Sequence, residues 1–157
     1  MKIKVISGGQ TGVDQAALIA AKESGLETGG WLPKGCLTLD GPRPDLKEKY
    51  NLQETPIGGY RERTVRNVLD SDATLRIAAD WNSRGEKCTW NAIARYNMNF
   101  MDVSLPIFTP PQDVVNWIKD CNIEVLNVAG NSEQTCPGIQ EVATAWLKKV
   151  FRLLLEN

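Results

Sequence analysis

The stretch Ser7-Gly8-Gly9-Gln10-Thr11-Gly12-Val13-Asp14 concentrates groups able to hold an anion. Consecutive glycines let the backbone take positive φ and approach a ligand closely. A helix beginning behind them offers unpaired N–H groups and the positive end of its dipole. Gln10 and Thr11 add side-chain donors, and Asp14 stands in the first helical turn. The spelling is neither a Walker A loop nor a G-x-G-x-x-G fingerprint. The expectation is a phosphate, or a nucleotide-like ligand, against the N–H groups of Gly9 to Gly12. The bland alternative is a glycine-rich turn needed only for tight packing.

Three further segments join this loop as candidates. Arg84 and Gly85 lie between a strand and a helix, with Lys87 and Thr89 just beyond, and could meet a phosphate; a solvated charged turn reads equally well. Gly130, Asn131 and Ser132, with Gly138 farther on, follow the last strand, where Ser132 or Thr135 could instead cap a helix. Arg63, Asn67 and Asp70 share one face of a helix by their spacing of four and three. That face could bind a ligand, although an intramolecular salt bridge is the safer reading of any single arginine.

What is missing is as informative. The 157 residues include no histidine, which removes the commonest general base, the Ser-His and Cys-His pairs, and histidine metal sites. Chemistry here must run on carboxylates, lysines, thiols, hydroxyls or a bound cofactor. The four cysteines, Cys36, Cys88, Cys121 and Cys136, show no C-x-x-C spacing and read as reduced thiols of a cytoplasmic protein. With 18 basic against 19 acidic residues the net charge is −1. No nucleic-acid footprint is expected from that balance, although it leaves room for a local cluster of arginines. Of the five tryptophans, Trp31, Trp81, Trp90, Trp117 and Trp146, all but Trp81 are expected in core or interface.

The elements that must position these residues alternate. Apolar strand-length runs at 3–7, 27–32, 73–79, 103–108 and 124–128 are separated by amphipathic segments at 14–24, 60–69, 86–100, 111–120 and 137–155. This pattern predicts an α/β fold, a Rossmann-like three-layer sandwich with a mainly parallel five-stranded sheet, formed by one ligand-binding domain over 1–157. The expected order along the sheet is second, first, third, fourth, fifth, which puts the ligand crevice between the first and third strands. Residues 33–59 read as a long surface excursion with an extended piece at 50–54. No apolar run reaches the length of a membrane span, and Met1 to Ser7 has no signal-peptide apolar region. Trp146, Val150, Phe151 and Leu154 form a stripe on the last helix, from which a homo-oligomer is expected.

With these residues in view, the sequence resembles the putative molybdenum carrier family, a circularly permuted branch of the Lonely-Guy-like Rossmann superfamily. The resemblance rests on S-G-G-Q-T-G-V-D (7–14), G-G-W-L-P-K-G (29–35), Y-N-L-Q-E-T (50–55), Y-R-E-R-T-V-R-N-V-L-D-S-D-A-T (60–74) and L-N-V-A-G-N-S-E-Q-T-C-P-G-I (126–139). It implies a carrier or binding protein for a phosphate-bearing small molecule, either molybdenum cofactor (molybdopterin) or a nucleotide derivative. An enzyme acting on a nucleotide derivative, with Asp14, Asp70 or Asp72 as acid or base, and a nucleotide-ligand sensor are the alternatives. The chain departs from the family's G-G-T-x-x-T loop at 84–89, keeping only Gly85 and Thr89, and from its G-P-R-E-S stretch at 130–134. The related phosphoribohydrolases carry P-G-G-x-G-T-x-x-E, and the position of that final carboxylate is Ala92 here, so their hydrolysis is not expected.

Overall fold

A computed structural model describes residues 2–156. In chain order the elements are β1 (Lys4–Ile6), α1 (Val13–Glu23), β2 (Glu27–Gly29), β3 (Trp31–Leu32), β4 (Leu37–Thr38), β5 (Gly41–Pro42), α2 (Asp45–Tyr50), β6 (Gln53–Glu54), α3 (Tyr60–Leu69), β7 (Ala73–Ala78), α4 (Arg84–Arg95), β8 (Asn99–Ser104), α5 (Pro111–Asp120), β9 (Val125–Gly130) and α6 (Ile139–Glu156). Five strands form one parallel sheet in the order β2-β1-β9-β7-β8. Two small sheets, parallel β3-β6 and antiparallel β4-β5, organise the excursion.

The α/β sandwich agrees with the sequence reading, but the strand order does not. The last strand, β9, lies between β1 and β7, two places inward from the edge where it was expected. Its residues are as apolar as those of its neighbours, and an apolar run does not name its partners. A buried polar pair does: Asn127 Nδ2 donates to Thr74 Oγ1 across the β9–β7 boundary at 3.2 Å. Right-handed crossovers running in opposite directions from β1 and β7 place α1, α5 and α6 on one face and α3 and α4 on the other. The crevice between those diverging crossovers is therefore floored by the end of β9.

Other boundaries shift for local reasons. The run 27–32 breaks at Gly30, after which Trp31 and Leu32 pair with Gln53 and Glu54 rather than continuing beside β1. Tyr50, expected to be extended, ends a short helix that the Pro- and Gly-rich surroundings concealed. The helix expected to reach Phe100 stops at Arg95, and Asn97 takes positive φ. The fourth strand consequently starts at Asn99 and ends at Ser104.

The main core lies between the sheet and the α1, α5 and α6 layer, with Leu75, Ile77, Leu126, Val128 and Leu147 fully buried. The α6 stripe of Trp146, Val150, Phe151 and Leu154 belongs to this core. These four side chains pack within the chain itself. Among the described residues no helix is long and apolar enough to cross a membrane.

Close packing at the end of β9 requires glycine. A Cβ on Gly130 would sit 2.0 Å from the carbonyl oxygen of Ile77 and 2.7 Å from a Val13 methyl. At Gly85, in α4, nothing lies within 4 Å of such an atom. Gly130→Ala is expected to lower unfolding free energy by about 2–3 kcal/mol through overpacking. Gly85→Ala should stay within about 0.5 kcal/mol of the parent or exceed it, because alanine is the better helix former. Urea unfolding of both variants checks this, and equal destabilisation by the two would contradict it.

Candidate functional site

The loops after β1, β9 and β7 meet over the C-terminal edge of the sheet, and Asn131 joins them. Its side-chain oxygen accepts from the N–H groups of Ala79 (2.8 Å) and Asp80 (3.0 Å). Its amide nitrogen donates to the Asp80 carbonyl and to the Glu86 carboxylate, both at 2.9 Å. Its backbone N–H reaches Ile77 O, and its carbonyl accepts from Val13 N at the start of α1. Asn131 is 0 % exposed, and every polar group it owns is engaged inside the protein. The sequence suggested it as a ligand donor; in this arrangement it is the fastener of the crest.

The glycine loop is similarly self-engaged. Gln10 N donates to Asp14 Oδ2 (3.2 Å), Thr11 N to Gln10 Oε1 (2.9 Å) and Gly12 N to Gln140 Oε1 (2.9 Å). Gln10 Oε1 also accepts from Leu39 N at 2.7 Å, which pins the β4–β5 hairpin over the loop. Gly12 precedes α1 with φ +88° and has no side chain to cap the helix, so the two glutamine oxygens stand where a cap or an anion would. Thr11 Oγ1 accepts from Glu133 N. Gly9, at φ +75°, is packed so that a Cβ would meet Leu32 at 2.3 Å. A β-branched residue there breaks packing as well as any ligand contact.

Arg63 and Asn67 both turn inward from α3. Arg63 Nη1 donates to Gly8 O at 2.7 Å and lies 3.3 Å from Asp14 Oδ2, the salt bridge that the sequence favoured. Among the described residues no buried side-chain nitrogen or oxygen lacks a partner. Asn67 accepts from Trp31 N and donates to Trp31 O, clamping the chain where β2 ends. Asp70 accepts from Trp31 Nε1. Asp72 serves Glu124 N and Val125 N at the opposite end of the strands, so of the three aspartates considered only Asp14 is at the crest.

Two carboxyls are buried here. Burial pushes Asp14 above its ordinary value, against the pull of Arg63 and the Gln10 N–H. Glu86 is 3 % exposed and caps α4 reciprocally with Ser83: its N–H donates to Ser83 Oγ while that hydroxyl donates to its carboxylate. Burial raises the Glu86 carboxyl, and the negative charge of Asp14 adds to the rise, against hydrogen bonds from Ser83 and Asn131.

The remaining candidates lie apart. Arg84 points into a groove between α3 and α4. Thr89 Oγ1 returns to Gly85 O within the helix. Ser132 Oγ accepts from Thr135 N, while Gly138 N and Gln140 N both donate to Glu133, which is the residue that caps α6. Among the described residues no cluster of acidic or thiol groups is suited to a metal. All four cysteines are free. One arrangement escaped the sequence reading: Arg76, buried in the middle of β7, makes two 2.7 Å hydrogen bonds to Asp102 and lies under the rings of Trp81 and Trp90. An arginine within an otherwise apolar strand was the available signal. Trp81, the tryptophan exempted from the core expectation, stacks on Arg76 and donates to Ser104 Oγ.

The model of the circularly permutated YpsA SLOG family matches residues 5–151. A crystal structure of a "putative molybdenum carrier protein" from Syntrophus aciditrophicus SB is 38% identical and superposes with a TM-score of 0.83, covering 96% of this chain and 94% of that one. No curated protein matches the chain.

The raised Glu86 has a stability consequence. The folded state holds this proton to higher pH than the unfolded chain does, so between the two titrations the native state binds more protons and stability falls as pH rises. Glu86→Gln removes that loss. The variant is expected to melt above the parent near pH 7 and to lose its advantage as pH is lowered to about 4. Parallel profiles for the two proteins would contradict the assignment.

Proposed function

The chain belongs to the circularly permutated YpsA SLOG family, and from that premise we propose that it is a binding or carrier protein for a phosphate-bearing small molecule. Molybdenum cofactor or a related nucleotide derivative is the cargo class, following the name of the solved relative. The phosphate is assigned to the N-terminus of α1, with Gly8, Gly9, Gln10, Thr11 and Gly12 around it and Arg63 beside it. Asp14 orients Arg63. Gly130, Asn131 and Ser132 support the loop from the β9 side.

One observation carries this reading. The N–H groups of Thr11 and Gly12 are satisfied by neutral, half-buried glutamine oxygens rather than by a carboxylate or the backbone. An oxygen of a phosphate would make the same hydrogen bonds with charge assistance and gain from the helix dipole. Displacing Gln10 Oε1 also frees Leu39 N, which couples binding to the hairpin above. By contrast α6 already carries an anion of its own, the Glu133 carboxylate, and α4 carries Glu86. The first-turn acid of α1, Asp14, is turned to Gln10 N and Arg63, which leaves the Thr11 and Gly12 N–H groups on neutral oxygens.

Gln140→Glu tests the reading by fixing a carboxylate against Gly12 N. Titration with adenosine monophosphate is expected to show affinity reduced about tenfold or more, equivalent to roughly 1.4 kcal/mol. Thermal stability should be retained, because an acid in a helix's first turn is favourable. Unchanged affinity in the folded variant would remove the α1 terminus from the site.

A further inference from the structure

The α3–α4 face carries a groove of about 710 Å³ that the crest does not use. Its cations come from both helices: Arg61 from α3, and Arg84, Lys87 and Arg95 from α4. None of the four has an ion-pair partner among the described residues, whereas the one acid lining the groove, Glu62, is already paired with Arg66 at 2.8 Å. Val65, Cys88 and Ala92 contribute less polar lining, and Tyr96 closes one end.

A solvated helix face ordinarily interleaves both signs of charge, with acids and bases four apart. Here Arg84, Lys87 and Arg95 follow one face of α4 over about 16 Å, with Cys88 and Asn91 at the places where compensating acids would fall. Arg84 moreover occupies the first turn of α4, the end of the dipole where a cation is disfavoured. In a chain of net charge −1 this concentration is local rather than compositional. The groove also falls in the size range of small-molecule sites and is too basic for an apolar ligand.

We propose that this groove is a second binding site, for a linear oligophosphate such as a nucleoside triphosphate. Its phosphates lie along Arg84, Lys87 and Arg61, with the nucleoside toward the Arg95 and Tyr96 end. The site is separate from the crest, since Arg63 and Glu86 leave the same two helices on their inward faces. It stands whether or not the crest binds a phosphate.

The test is calorimetric titration with inorganic tripolyphosphate and with adenosine triphosphate at about 50 mM salt, where exposed charges are weakly screened. The two ligands are expected to compete, to bind well ahead of adenosine monophosphate, and to weaken as salt rises. Arg84→Glu combined with Lys87→Glu should reduce affinity at least about tenfold, with a native far-UV spectrum because both side chains are exposed. As an independent map, tripolyphosphate should slow alkylation of Cys88, which lines the groove, and leave the exposed Cys121 unaffected. Absence of binding at about 1 mM, or binding that neither the double variant nor Cys88 alkylation detects, would overturn the proposal.

Discussion

Three loops from three neighbouring strands can share one crest because a single buried residue, through its side chain and its backbone, bonds to all of them. Asn131 closes the turn after β7 by accepting two N–H groups and donating to a carbonyl, and it reaches the Glu86 carboxylate that caps α4. Its backbone carbonyl receives Val13 N, so the start of α1 is registered against the same residue. A buried polar group is stabilising only when each of its bonds is made; removing one partner leaves others unsatisfied, at about 1–3 kcal/mol each. Loops fixed in this way cannot shift independently, and the α1 terminus is positioned as rigidly as the sheet.

That rigidity sets the electrostatics of the crest. Glu86 is held in a dry site by Ser83 and Asn131, and Asp14 is held beside Arg63 over the Gly8 carbonyl. Both carboxyls are raised by burial, so the folded crest bears their cost at neutral pH. Buried charge at the end of a sheet is common where a ligand is to be met. On α4 and α6 a carboxylate, Glu86 or Glu133, caps the helix. On α1 Asp14 is engaged by Arg63 and Gln10 N, and the Thr11 and Gly12 N–H groups rest on glutamine oxygens, one of which also holds the hairpin at Leu39. The asymmetry, rather than the glycines, marks α1; the glycines at 9 and 130 are already accounted for by packing against Leu32, Ile77 and Val13.

Much of this was legible in the sequence. Tyr60–Leu69 and Pro111–Asp120 are helices over the residues that their periodicity predicts, and Ala73–Ala78 is buried throughout as its apolar run requires. The candidate loops do converge, and Arg63, named as a ligand residue with an internal salt bridge as the default alternative, pairs with Asp14. Strand order was not legible, because buried parallel strands differ little in composition and the matching clue, Asn127 with Thr74, is a pair rather than a pattern. Nor could spacing reveal that polar groups in the loops satisfy one another, or that Arg84 turns away from the crest into the α3–α4 groove. Hydrogen-bond saturation is a property of three dimensions.

The claim that phosphate replaces glutamine at the head of α1 is tested most directly by amide-resolved nuclear magnetic resonance. Adenosine monophosphate is added stepwise to 15N-labelled protein and the backbone and side-chain N–H signals are followed. The account predicts that the largest shifts fall on Thr11, Gly12 and Leu39, the amides now bonded to Gln10 and Gln140 oxygens, with the Gln140 side-chain signals moving in step. Saturable shifts that spare these amides and gather elsewhere, or no shifts at all, would contradict it.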